Sequence, residues 1–223
     1  HRDIKSSITQ REVGTDTESF KSGLRAALRQ DPDVVMIGEM RDAETVDTAM
    51  KAAETGHLLM STLHTSDAQT TIMRIMAMFP TEEQDIVRVR LAETLHAVVS
   101  QRLLPRADGK GRVVAAEVMV VTPTIRELIL EGERIGEIRD YIADGREQYG
   151  MQTFDQHLAD LVSNGDVTFE VAMAASTRPA DFQLNMKTFG GGARRADGQT
   201  PSAGGSAVSE GMSAGSGYDF LNG

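Results

Sequence analysis

Cysteine is missing from all 223 positions, which removes disulfides and cysteine-based zinc sites at once and fits a reducing compartment. Tryptophan is missing too, and aromatics reach only 4%, so no platform for stacking bases is expected. Cations are outnumbered: 23 Lys and Arg against 33 Asp and Glu give a formal net charge of -10. That balance argues against general nucleic-acid binding, which needs clustered Lys and Arg against phosphates. There is no apolar run of about eighteen residues, so no membrane span is expected. The glycine-rich loop that cradles nucleotide phosphates, Gly-x-x-x-x-Gly-Lys-Ser/Thr, is also missing. The chain opens on His1 with no apolar signal-like stretch behind it, which reads as a fragment or a processed chain.

What is present has a clear rhythm. Phe20, Leu24, Ala27 and Leu28 recur at helical spacing, and Asp31-Pro32-Asp33 ends that helix. Val34-Val35-Met36-Ile37 reads as a buried strand. Asp42 can cap a helix reaching Thr55, with Gly56 as its stop. Leu58 to Leu63 reads as a second buried strand, and Ile72, Met73, Ile75, Met76 and Phe79 mark another helix. Strand, helix, strand, helix predicts an α/β fold with a parallel sheet, whose ligands sit beyond the carboxyl ends of the strands. A long helix is expected over 82–100, with Ile86, Leu91, Leu95 and Val98 inward. A hairpin follows from Leu103 to Val121, around the turn 107–111. Helices are then expected over 122–132, 134–143, 153–164 and 168–175. Gly190 to Gly223 holds 10 of the 21 glycines and almost no aliphatic side chains, so it is expected to be disordered. Within it, Tyr218-Asp219-Phe220-Leu221 reads either as a docking peptide or as stray aromatics in an idle tail.

Two constellations carry chemistry. In Gly38-Glu39-Met40-Arg41-Asp42 an apolar strand delivers a carboxylate to its carboxyl end, beside a cation and a second acid. Nucleotide hydrolases need a carboxylate there to orient the attacking water, although a lone strand-end Glu is equally a solvated loop acid. In Gly56-His57-Leu58-Leu59-Met60-Ser61-Thr62-Leu63-His64-Thr65, histidines flank a strand and hydroxyls lie between and beyond them. An imidazole at a strand end can hydrogen-bond a γ-phosphate, whereas one near a helix C-terminus is favoured by the dipole alone. A metal site on His57 and His64 is not expected: seven residues apart on a strand, they face opposite sides.

Gln10-Arg11-Glu12-Val13-Gly14, Ala27-Leu28-Arg29-Gln30-Asp31-Pro32-Asp33, Gly38-Glu39-Met40-Arg41-Asp42, Glu54-Thr55-Gly56-His57-Leu58 and Ser61-Thr62-Leu63-His64-Thr65 occur in that order. Together they resemble the atypical Walker B and His-box motifs of the secretion ATPases that drive type II secretion and type IV pili, over roughly residues 1–185. Thr124-Ile125-Arg126-Glu127-Leu128-Ile129 approximates the Ala-Ile-Arg-Asn-Leu-Ile motif of the pilus retraction group, the PilT- and PilU-like ATPases. Gly150-Met151-Gln152-Thr153-Phe154-Asp155 also fits that group. Assembly and secretion ATPases commonly carry a four-cysteine zinc motif, which this chain lacks.

The resemblance implies a RecA-like core over 1–121, lacking its P-loop, a helical subdomain over 122–186 and a disordered tail over 187–223. It implies Glu39 as the catalytic carboxylate, with Gly38 normal for the group, and His64 as the phosphate-sensing histidine. His57, Arg41 and Thr65 would lie near the nucleotide, Asp42 would help orient the site, and Arg29 and Arg74 would act across a subunit interface. ATP and Mg²⁺ are the implied ligands. The implied assembly is a homohexamer at the cytoplasmic face of the bacterial inner membrane, docked on a pilus platform protein and powering retraction for twitching motility. Without the P-loop, this chain alone is expected to hydrolyse ATP negligibly. Glu127 and Leu130 depart from the retraction motif, which keeps an accessory paralogue open. The rivals are a type II secretion or pilus-assembly motor and a non-catalytic regulator on the same core.

Overall fold

The computed structural model describes residues 3–189. Helix α1 (Phe20–Leu28) leads to strand β1 (Val34–Ile37), helix α2 (Ala43–Glu54), strand β2 (Leu58–Ser61) and helix α3 (Ala68–Ala77). Then come α4 (Gln84–Thr94), the long strands β3 (Ala97–Pro105) and β4 (Arg112–Val120), and α5 (Pro123–Glu131). The chain ends in α6 (Ile138–Asp144), α7 (Arg146–Tyr149), α8 (Phe154–Ser163), α9 (Phe169–Ala175) and α10 (Pro179–Phe189). The α/β class with a parallel pair is as expected: β1 and β2 run parallel, Val34 opposite Leu58 and Ile37 opposite Ser61. The parallel pair needs a crossover, and α2 supplies it. β3 and β4 form a separate antiparallel hairpin.

Local chemistry sets the boundaries. Asp42 accepts from the amide of Thr45 at 2.8 Å to start α2, and Asp67 does the same for α3 through Thr70 at 2.7 Å. Each such cap is worth about 1 kcal/mol. Thr122 caps α5, Pro123 occupies its first turn, and Gly132 closes it at a φ of 74. Thr153 and Gln156 make a reciprocal capping box at the head of α8.

Three apolar clusters hold the elements. Leu24, Val35, Ile37 and Ala49 pack one face of the parallel pair under α1 and α2. The central cluster joins Val46, Ile72, Ile75, Leu91, Met119, Ile125, Leu128, Ile129 and Ile138, so α5 and α6 sit in the same core as α3 and α4. Burying an aliphatic side chain of that size contributes about 1.5–3 kcal/mol. The third cluster sets Leu104 and Ala115 of the hairpin against Phe154, Leu158, Leu161, Ala172 and Phe182.

Several expectations are corrected. The helix expected over 82–100 is a single 3-10 turn at Thr81–Glu83 followed by α4, and the chain turns extended at Leu95. Val98 and Val99 pair with Met119 and Val118, so long-range pairing of β-branched residues overrides the helical reading. The hairpin therefore begins at Ala97, not Leu103. Ile86, expected inward, is 66% exposed, while Val87, Leu91 and Ala92 face the core. β1 and β2 were expected to be buried on both faces, yet Val34, Met36, Leu58 and Met60 are exposed on the face that α1 and α2 do not cover. β2 stops at Ser61, and the short 3-10 turn Ile135–Glu137 replaces the start of the helix expected over 134–143. α10 was not anticipated, and it runs past the expected start of the tail at 187. The disorder expected beyond Gly190, with Tyr218 and Phe220, lies outside the described residues.

Candidate functional site

The parallel pair sends both chemistry-bearing segments to one end. β1 ends at Ile37 and Glu39 follows; β2 ends at Ser61 and His64 follows. Two bonds lock the segments together just past the strands: Thr62 Oγ1 donates to the Gly38 carbonyl at 2.6 Å, and the Met40 amide donates to the Thr62 carbonyl at 3.3 Å. Glu39 is thereby held beside a guanidinium and an imidazole. One carboxylate oxygen meets Arg41 Nη2 at 2.7 Å, and the other lies 3.7 Å from His64 Nε2. Arg41 and His64 are themselves 72% and 87% exposed, so the ends of these side chains are open to a ligand.

This arrangement has a definite chemical capacity. Glu39 offers two acceptor oxygens, one of which is engaged by a guanidinium. The other oxygen lies 3.7 Å from an imidazole nitrogen, a separation longer than a direct hydrogen bond. Thr65 follows His64, but its hydroxyl bonds Thr71 Oγ1 at 2.7 Å inside α3, which makes it a loop anchor in this structure.

His57 is not brought to this end. It precedes β2 at the amino end, where Nδ1 lies 3.1 Å from both Thr55 Oγ1 and the carbonyl of Ala52. There the imidazole closes the C-terminus of α2, the placement the helix dipole favours. Arg29 is the exposed C-cap of α1, and Arg74 projects from the exposed side of α3. Neither joins Glu39 and His64. Asp42 spends its carboxylate on the backbone and hydroxyl of Thr45.

Two acids that the motif reading passed over lie behind the site. Asp67 accepts from Ser66 Oγ and from the Thr70 amide. Burial would raise its pKa, but those bonds outweigh it and hold the carboxyl below its ordinary value. Glu117, 5% exposed on β4, accepts from the Ala68 amide at 2.9 Å. Burial pushes its pKa up, and the nearby Asp67 charge adds to that. A signal for Glu117 existed: it shares strand parity with the buried Ala115 and Met119. Among the described residues, no group of three His, Cys, Asp or Glu is placed to hold a metal ion. Also among them, no helix is long and apolar enough to cross a membrane.

A family model described as "Type II/IV secretion system protein" matches residues 5–174. The chain is 45% identical over 180 residues to the type IV pilus ATPase PilU of Pseudomonas aeruginosa, covering 81% of this chain and 47% of that protein. It is also 45% identical over 182 residues to the type IV pilus retractation ATPase PilT of the same organism, covering 82% of this chain and 52% of that one. Among solved structures it resembles the pilus retraction motor PilT with bound ADP, with a TM-score of 0.72, 46% identity, and coverage of 82% of this chain and 51% of the other. The chain thus spans about half the length of the relatives it matches.

Proposed function

Because the chain belongs to the type II/IV secretion system protein family, we propose that it supplies the water-activating and phosphate-sensing half of a motor ATPase that powers type IV pilus retraction. One observation carries the reading: Glu39 stands at the carboxyl end of a parallel strand, with Arg41 and His64 on its two oxygens. In hydrolysis, Glu39 accepts a hydrogen bond from the attacking water and orients it in line with the γ-phosphate. Arg41 holds that carboxylate in place through its guanidinium contact, and His64 donates Nε2–H to a γ-phosphate oxygen as charge builds there. Thr65 and Asp42 hold the loop and helix that carry these groups, and His57 steadies β2 from its far end.

No Gly-x-x-x-x-Gly-Lys-Ser/Thr occurs in the 223 residues, so phosphate grip falls to polypeptide outside them. The strand end does not fit Mg²⁺ by itself: Gly38 offers no side-chain ligand, and Glu39 is engaged by Arg41. In this proposal residues 1–121 belong to the ATPase core and 122–186 to a helical subdomain that passes motion on. The motor is a hexamer at the cytoplasmic face of the inner membrane, docked on a platform protein, with the exposed Arg29 and Arg74 reaching neighbouring subunits. The PilT and PilU relatives favour a retraction-type motor over an assembly or secretion motor, as does the lack of a cysteine motif.

The test uses the full-length protein. Glu39→Gln is expected to abolish ATP turnover while nucleotide binding stays within about twofold of the parent. Normal turnover by that variant would sink the assignment.

A further inference from the structure

The loop that carries His64 is short. It leaves β2 at Ser61 and enters α3 at Ala68. Its strand end is tied to the Glu39 segment through Thr62. Its helix end needs a different anchor, because the first amides of a helix have no partner within it. Asp67 meets the Thr70 amide and Thr65 meets the Thr71 hydroxyl, but both bonds lie within the loop and helix themselves. The amide of Ala68, a residue with 0% exposure, is satisfied from outside, by Glu117 of β4 at 2.9 Å. A buried amide without that acceptor would be costly.

Glu117 is itself fixed. It sits opposite Ser100 in the hairpin, and the next residue, Val118, exchanges both backbone bonds with Gln152, at 2.8 and 3.0 Å. The Gln152 amide group also donates to the Ala116 carbonyl at 3.0 Å. The carboxylate is thus held on a stiff strand clamped from its far side, and it reaches across to the loop. No other side chain is bonded to the Ala68 amide among the described residues.

We infer that Glu117 is a positioning residue for His64: it pins the helix end of the loop so that the imidazole faces Glu39. The inference rests on the role given to His64 above. In this role Glu117 acts through where it holds the backbone. It also ties the hairpin, and through Val118 the Gly150–Asp155 segment, to the loop.

The test is a cycle of variants in the full-length motor. Glu117→Ala is expected to lower kcat about tenfold with little change in the KM for ATP, since misplacement of a catalytic group costs rate. In a His64→Ala background the same substitution is expected to cost less than about twofold, because the loop then has no imidazole to position. Glu117→Gln keeps an acceptor oxygen in place and is expected to recover most of the rate, with its shape retained if the Ala variant folds poorly. Equal losses in both backgrounds, or a Gln variant as slow as the Ala variant, overturn the inference. Amide hydrogen exchange over residues 65–71 separates this from failure of the His64 reading. Faster exchange in Glu117→Ala, reversed in Glu117→Gln, establishes the anchor, and unchanged exchange defeats it. A His64→Ala motor running at the parental rate defeats the catalytic role of His64, and with it the functional half of the inference.

Discussion

Glu39 and Asp155 are built from the same parts and finished in opposite ways. Each is a carboxylate at the edge of a regular element, paired with an arginine. Glu39 has one guanidinium contact and a distant imidazole, both on highly exposed side chains. Asp155 accepts from Arg139 and the Arg178 amide on Oδ2 and from Ser176 Oγ and the Thr177 amide on Oδ1. Both members of its ion pair are mostly buried, with side-chain exposures of 20% and 15%. The first acid keeps acceptor capacity in reserve, whereas the second has spent it. Saturation, not residue type, separates a group free to do chemistry from one that holds α8 to the start of α10. Arg102 reinforces the second: it lies 3.9 Å over the Phe154 ring and donates to the Ala175 carbonyl at 2.6 Å.

That contrast can be broken or sharpened by substitution. The largest effect is expected from Asp155→Ala, which strands a half-buried guanidinium and several donors. It should cost about 2–3 kcal/mol and lower the melting temperature by several degrees in a thermal scan. A loss no larger than that of a surface mutant would erase the distinction. Arg102→Met keeps the aliphatic stem over Phe154 but removes the cation and the donor, and about 1 kcal/mol should be lost in urea unfolding.

Asp47 is the intermediate case. Lys51 and Arg90 contact it at 2.7 and 2.8 Å. Burial would raise its pKa, but its bonds to Lys51 and Arg90 hold it below the usual 3.8. A depressed folded pKa means stability present above 3.8 and lost as pH falls through the lower folded value. Asp47→Asn should therefore flatten the stability profile on the acid side and lower it at neutral pH, and parallel profiles for the two proteins would refute this. The smallest effect is expected from Glu39→Gln, whose melting temperature should match the parent to within about 0.5 kcal/mol of stability. A stability loss as large as that of Asp155→Ala would make Glu39 a structural acid.

Much of this was legible in the sequence, because the relevant signals are local. Asp42 announces a helix start by side-chain chemistry that needs no partner elsewhere in the chain. Glu39 and His64 were legible as strand-end residues, and the parallel pairing brings them together. What escaped depended on distant partners. The stretch from Leu95 to Val99 turns extended only because β4 is there to receive it. Val34 and Met36 read as buried because strand apolarity is visible, whereas their exposure among the described residues is not. Glu117 was hidden in an apolar run, where alternation placed it inward without saying what it would meet.

The hairpin turn has a practical consequence. Gly109 and Gly111 take positive φ values of 71 and 81, and Lys110 is exposed between them, at the tip of a ribbon whose base is set in the central apolar cluster and whose turn end packs on the third. The chain has no thiol of its own. Lys110→Cys would therefore install one uniquely addressable sulfur, and a fluorophore attached there would ride on the strand that carries Glu117, an optical handle on movement between the two halves of the molecule.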